Sequence, residues 1–332
     1  MLSNANHKFE ILNIVDKEFY SIMSYINKTE IDNIIKVMKR CLKRVQQQNI
    51  VLYENVLNCY NTFQYWGKLI PEKDIYELIN NRAITLKKYQ NEFIWLYTRL
   101  EDYRSKKCLF EIISHWMTFD PIKLENIVEK TYKHYFDFDI IACDENEVFV
   151  DLGAYTGDTV IEYISLYDHY KKIYCYEIFP ENFDTLKKNL EKFDNIEFRK
   201  KGAYKNSGHM YVSDNEPHES THKLFNAGNT QIPVISIDED INDQITFIKM
   251  DIEGGEQDAL WGCKNHIQTE HPKLAISIYH NNEDIWKCAA IIDEILAGYK
   301  FYLRYYGGNV YPSEYVLYAI YNAGIERNNM IS

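Results

Sequence analysis

The sequence predicts a doubly wound, Rossmann-like α/β fold with a mostly parallel sheet and an antiparallel closing strand, preceded by an all-helical N-terminal region. Three observations predict it. Residues 8–137 contain one glycine, Gly67, and two prolines, Pro71 and Pro121, amid helix-spaced apolar residues. From residue 147 onward, short β-rich runs alternate with amphipathic ones. The first of those runs leads into a glycine turn that opens a helix. A chain of 332 residues suits one α/β domain plus an appended region. The expected division is a helical region over 1–143, of which 1–92 stays unassigned and 93–143 is a helical lead-in, an α/β domain over 144–322, and a tail over 323–332.

In chain order, Thr29 with Asp32 has the spacing of a capping box ahead of Ile31, Ile34, Ile35, Met38, Leu42 and Val45, which share one helical face. Pro71 and Pro121 suit first helical turns, ahead of Ile75, Leu78 and Ile79 and of Leu124, Ile127 and Val128. Strands are expected at 148–152, 172–176, 196–199, 246–250 and 274–279, with helices near 158–168, 181–193, 256–268 and 284–298. Such alternation implies a mostly parallel sheet covered on both faces. The runs 208–213 and 231–237 read as an insertion or edge strands, and 300–306 with 315–321 as a closing antiparallel pair.

Charge is uneven: 20 Lys/Arg against 18 Asp/Glu over residues 1–143, but 17 against 31 over 144–332. An acidic α/β half repels a phosphate backbone, so nucleic acid is not expected as a partner. The seven cysteines are scattered and never form a C-x-x-C pair, consistent with reduced, mostly buried thiols. Acidic residues Glu10, Asp16 and Glu18 interrupt the first thirty residues, unlike a signal peptide, and no stretch approaches about 18 uninterrupted apolar residues. A cytoplasmic protein without a membrane span is the expectation.

In an open α/β sheet, ligands bind outside the carboxyl ends of the strands. The first strand ends in Asp151-Leu-Gly153-Ala154-Tyr155-Thr156-Gly157-Asp158. The glycines permit a tight turn and close backbone approach, but the G-x-G-x-x-G spacing of a nicotinamide site is absent. Asp151 instead suits a ligand with a cationic amino-acid moiety, such as the ammonium group of S-adenosylmethionine; an ordinary strand–helix turn is the plain alternative. Glu177 ends the second strand near the interval at which an acidic residue meets ribose hydroxyls. The fourth strand delivers Asp251-Ile-Glu253-Gly-Gly-Glu256. Asp251 is placed to face the cofactor or the substrate, and Glu256 equally well complements a helix dipole. The fifth strand runs into His280, a candidate general base at neutral pH or a structural hydrogen-bonding residue. His218 and His222 have the spacing of a metal pair, but no third ligand accompanies them, so no metal site is assigned.

These residues resemble the FkbM family of S-adenosylmethionine-dependent methyltransferases. Ile248-Lys-Met-Asp-Ile-Glu-Gly-Gly-Glu256, followed by Ala259-Leu260 and Gly262, is similar to the family's K-x-D-x-E-G-x-E hallmark. Phe149 through Thr159, Tyr176 through Asn182, Ser236 through Asp238 and Ser277 through His280 add to the resemblance, as do Leu100 through Ser105, Tyr135 through Asp137, Tyr302 through Arg304 and Glu314 through Tyr318. It spans about residues 95–322; Tyr305 stands where the family pattern has a histidine, and residues 1–92 have no counterpart. The resemblance implies a class I methyltransferase fold, with S-adenosylmethionine around Asp151, Gly153–Asp158 and Glu177. It also implies O-methylation of a hydroxyl, frequently on a sugar of a glycan, polysaccharide or glycosylated metabolite. His280 is then the candidate base, while Asp251 and Glu253 position the acceptor hydroxyl. A divalent cation such as Mg²⁺ is allowed there, but two carboxylates do not indicate one. The rival readings are a noncatalytic protein that keeps the fold for binding, and a nicotinamide-dependent oxidoreductase. For the N-terminal helices, self-association, docking to a glycosyltransferase partner and covering the acceptor site are all open, and their tyrosines (Tyr53, Tyr60, Tyr65, Tyr89, Tyr97) are expected in the core.

Overall fold

The computed structural model describes residues 13–212, 224–225 and 230–322. Helix α1 (Ile14–Lys28) opens with a reciprocal cap, in which Asn13 accepts from the Asp16 amide at 2.9 Å and Asp16 from the Asn13 amide at 3.0 Å. Helix α2 (Ile31–Gln48) buries Ile34, Met38, Leu42 and Val45 as the periodicity predicts, but the capping box expected at Thr29 does not form. Thr29 is already the C-cap of α1, so Glu30 takes the N-cap position without a side-chain bond. Helix α3 (Ile50–Phe63) follows. Pro71 starts a single 3-10 turn, Pro71–Lys73, closed by Asp74 at φ +55° between two-residue strands Leu69–Ile70 and Ile75–Tyr76. The left-handed residue stops the helix expected there, and α4 begins only at Glu77 (Glu77–Lys88).

Helices α5 (Gln90–Arg99), α6 (Tyr103–Thr118) and α7 (Pro121–Glu125) complete the helical region. Helix ends there rather than near 137, because the following backbone turns to a strand edge: the Glu129 amide donates to the Tyr305 carbonyl at 2.7 Å.

The main sheet contains β1 (Val148–Leu152), β2 (Lys172–Tyr176), β3 (Ile196–Arg199), β4 (Phe247–Met250), β5 (Lys273–Ser277), β6 (Tyr299–Tyr305) and β7 (Tyr315–Tyr321). Their spatial order is β6-β7-β5-β4-β1-β2-β3, with β1 to β5 parallel and β7 antiparallel to both neighbours. The expected alternation and closing pair are therefore present. Strands Gly202–Ala203, Gly208–Val212, Leu224–Phe225 and Thr230–Ile235 form a second, small sheet. His218, His222 and the tail over 323–332 lie outside the described residues.

Helices α8 (Asp158–Tyr167) and α9 (Pro180–Leu190) cover one face of the main sheet, where Phe149 and Phe247 stack at 4.9 Å with Tyr163, Leu186 and Leu190. The alternate residues Val148, Val150 and Leu152 point the other way, as period-2 strands require. On that side lie α10 (Ile237–Asp240), α11 (Glu256–Gly262), α12 (Lys264–Thr269) and α13 (Asp284–Ile295). The single helix expected over 256–268 is thus two; at Gly262, where α11 ends, the Tyr204 carbonyl oxygen lies 2.1 Å from where a β-carbon would sit. The N-terminal helices join the same core: Phe19, Ile34, Ile79 and Phe93 belong to one buried cluster with Val150, Ile276 and Leu303. All seven cysteines are free, four of them buried, and no helix among the described residues is long and apolar enough to cross a membrane.

Candidate active site

A cleft of about 310 Å³ lies at the carboxyl ends of β1, β2 and β4, walled by Gly153, Tyr155, Asp158, Glu177, Asp251 and Glu253 among others. The strand register builds its floor. Asp151 on β1 is the direct neighbour of Lys249 on β4, and the Lys249 ammonium sits 2.9 Å from the Asp151 carboxylate and donates to the Gly153 carbonyl at 2.8 Å. Burial pushes Asp151 up to about 6 against the opposing pull of Lys249. Gly153, at φ +84°, lets the Asp251 carbonyl oxygen come within 1.9 Å of where a β-carbon would be.

The placement of Asp151 corrects one expectation. Its side chain is fully buried and bonded to Lys249, so it holds the turn from behind instead of facing a ligand's ammonium group. Ala154 and Gly157 are buried, and with Thr156 they lie behind the wall that Gly153, Tyr155 and Asp158 present. Glu177 does reach the cleft. Its carboxylate accepts the Tyr155 amide at 3.0 Å and the Phe179 amide at 2.8 Å, tying the first strand's turn to the second strand's. Burial raises its pKa against the opposing pull of those amides.

Asp251, Glu253 and His280 meet on the other side. The imidazole Nε2 is 3.4 Å from Asp251 Oδ1 and 3.6 Å from Glu253 Oε2, and Nδ1 is 3.0 Å from Glu256 Oε1. Glu256 does more than complement a helix dipole: fully buried, it accepts the Ile252 amide at 2.9 Å and so pins the loop that carries Glu253. Burial alone would push the His280 imidazole down, but Glu256, Glu253 and Asp251 outweigh it and push it up to about 10. Those three carboxylates favour a positive charge at the ring, whether a proton or a cation carries it. The ring is therefore not the isolated imidazole that the sequence suggested, since three carboxylates surround it.

Burial, with Asp251 and Glu256 adding to it against His280, raises Glu253 to about 7. Burial also disfavours ionised Asp251, but His280 and Lys249 hold it below the usual carboxylate range. Burial and Asp251 raise Glu314, another wall residue, to about 7.

Sequence reasoning missed several members of the site. Tyr135 donates to Asp251 Oδ2 at 2.8 Å and lies 3.0 Å from Ser277 Oγ. Tyr65, between α3 and the first short strand, donates to Glu253 Oε2 at 2.9 Å, and Trp66 Nε1 donates to the Tyr279 carbonyl at 2.8 Å. The N-terminal region thus furnishes part of the site; Tyr53, Tyr60 and Tyr97 are core as expected, while Tyr89 is half-buried. Tyr135, Tyr155, Glu253 and Glu314 all have positive φ, between +48° and +67°, and all line the cleft. Left-handed backbone costs a non-glycine residue of order 1–3 kcal/mol, and four of the ten such residues among those described stand in this one wall.

Comparison with known proteins agrees with this architecture. Residues 151–304 match the family profile described as the methyltransferase FkbM domain. Among solved structures, the chain is similar to methyltransferase FkbM from Methylobacillus flagellatus KT, with 26% identity, a TM-score of 0.62 and coverage of 72% of this chain and 61% of that one. This chain therefore spans less than two thirds of that protein's length. Weaker likenesses include an rRNA methylase from Streptococcus thermophilus (13% identity, TM-score 0.36, 54% of this chain and 88% of that one). Fibrillarin from Aeropyrum pernix, solved with natively bound S-adenosyl-L-methionine, is another (11% identity, TM-score 0.35, 53% and 67%). No curated protein matches. The sheet order and the first of these likenesses give the α/β half a methyltransferase fold.

Proposed function

We propose, from the match of residues 151–304 to the methyltransferase FkbM domain, that the protein transfers the methyl group of S-adenosylmethionine to a hydroxyl oxygen of a sugar, in a glycan or a glycosylated metabolite. The observation that carries the reading is the character of the cleft. Its wall offers Asp158, Glu177, Asp251, Glu253 and Glu314 against Lys201 and Lys249, and Lys249 is already engaged with Asp151. A surplus of carboxylates favours a ligand with ammonium and sulfonium charges. Glu177, at the tip of β2, is the candidate partner for the ribose hydroxyls. Asp158 and Asp251 are the candidates for the methionine end, a role first assigned to Asp151.

In this reading the acceptor hydroxyl lies against Asp251 and Glu253, whose side chains are partly exposed toward the cleft, and its proton passes to that carboxylate pair as oxygen attacks the sulfonium methyl. His280 fixes the pair from behind. Alignment supplies most of the acceleration, because the electrophile arrives already activated. Carboxylates beside an exposed tyrosine, Tyr155, suit a hydroxyl-rich acceptor with apolar ring faces. The N-terminal helices are read as part of the catalytic unit, since Tyr65 anchors Glu253.

Calorimetry with S-adenosylmethionine and its demethylated product, followed by labelling of a cell-derived glycan extract with radioactive methyl donor, tests the proposal. Heat with both ligands and label on carbohydrate are expected. Absence of heat on folded protein would sink the cofactor assignment, and label confined to nitrogen or carbon would sink the hydroxyl assignment.

A further inference from the structure

We propose that His280 Nε2, Asp251 and Glu253 bind a divalent first-row cation at the end of the cleft. One donor atom from each of the three lies within 4.8 Å of the others. Acidic clusters of this kind are common, and the histidine distinguishes this one. Its ring is fully buried, and Nε2 has no hydrogen-bond partner among the described residues, although it is aimed between two carboxylates. The spacings of 3.4 and 3.6 Å are too long for a charge-assisted hydrogen bond, which closes to about 2.7–2.9 Å. Two ligands on adjacent positions of one ion, each at about 2.1–2.2 Å, stand roughly 3.0–3.6 Å apart between right-angled and tetrahedral geometry.

The surroundings have the order of a metal site. Glu256 faces the other ring nitrogen at 3.0 Å, as a carboxylate that orients a ligating imidazole does. Tyr135 and Tyr65 hold the two ligating carboxylates. The opening toward the cleft leaves room for water or an acceptor oxygen, as a catalytic rather than a closed structural site requires. One imidazole with two carboxylates suits Mn²⁺ better than Mg²⁺, which favours an all-oxygen shell. The site stands on its own geometry; its use, orienting the acceptor hydroxyl, rests on the methyl-transfer reading.

Titration of the full chain with Mn²⁺, followed by loss of the free aqueous ion's electron paramagnetic resonance signal, tests the inference. One ion per chain is expected, with at least tenfold weaker binding in Glu253→Gln and about 10–100-fold weaker binding in Glu256→Gln. Circular dichroism and calorimetry with S-adenosylhomocysteine on the same samples report whether each variant is folded. An undiminished free-ion signal with the unaltered protein, or equal binding by folded Glu253→Gln, overturns the cation site. Mn²⁺ bound without any response to S-adenosylhomocysteine supports the cation site and refutes the methyl-transfer reading instead.

Discussion

Lys249 sits inside the sheet with its ammonium on the Asp151 carboxylate and on the carbonyl of Gly153, the residue where the chain turns into the cleft. Two buried opposite charges attract strongly, and removing one strands the other in a low-dielectric interior. Lys249→Met should therefore cost about 3–5 kcal/mol of stability, measured by urea unfolding, and any folded fraction should bind the methyl donor less well because the Gly153 turn loses its anchor. A variant as stable as the parent would show the pair to be incidental. The sequence displayed Asp151, Glu177, Asp251, Glu253 and His280 because each lies just after, or at the end of, a strand, where local pattern and ligand position coincide. That Asp151 faces Lys249 and not the ligand depends on strand register, which alternation alone leaves free. Tyr135 and Tyr65 reach their carboxylates across 116 and 188 residues of chain, and no local spacing could report either.

Segments that resembled the family away from the sheet ends acquire a reason once Arg304 is seen. From β6, its guanidinium Nε donates to Asp137 at 2.7 Å, one terminal nitrogen to Asp102 at 2.7 Å, and the other to Ser105 at 2.9 Å. One side chain thus fastens the start of α6 and the loop that aims Tyr135 at Asp251. Arg304→Met should destabilise by about 3 kcal/mol, because Asp137 is fully buried and would lose its hydrogen-bonded partner, keeping only the Arg104 guanidinium at 3.8 Å. The same variant should lower turnover in the surviving folded fraction by misplacing Tyr135; unchanged turnover would separate the clasp from the site.

A second anchor on α6 is titratable. Burial pushes His115 down to about 3 from an ordinary 6.5, with Nδ1 2.9 Å from the Asp120 carbonyl oxygen and Arg82 nearby. A depressed histidine favours the folded state above its unfolded pKa, and that contribution is lost as pH falls from about 6.5 toward 3. Unfolding free energy should fall below pH 6.5 with a limiting slope of about 1.4 kcal/mol per pH unit from this group. His115→Gln should flatten the slope by one proton, and an unaltered slope would mean the ring is solvated.

For the molecule as a whole, the composition change near residue 144 suggested a boundary, yet packing runs across it. Trp116 lies against the Arg82 guanidinium at 5.0 Å, Trp286 on α13 against Tyr89 at 5.0 Å, and the Tyr279 carbonyl takes the Trp66 indole bond. Patterning told helix from strand on either side but not whether the helices' apolar faces met one another or the sheet, since both partners demand the same residues. Deleting residues 1–92 would uncover Trp116, Tyr279 and Trp286, each worth about 1.5–3 kcal/mol when buried. The sum is comparable to the roughly 5–15 kcal/mol that holds a whole domain together. The shortened chain should accordingly lose its cooperative thermal transition and expose apolar surface to a dye such as anilinonaphthalene sulfonate. If it melts cooperatively and still binds S-adenosylhomocysteine, the α/β half folds alone, and the Tyr65–Glu253 bond tunes a site that the helices do not build.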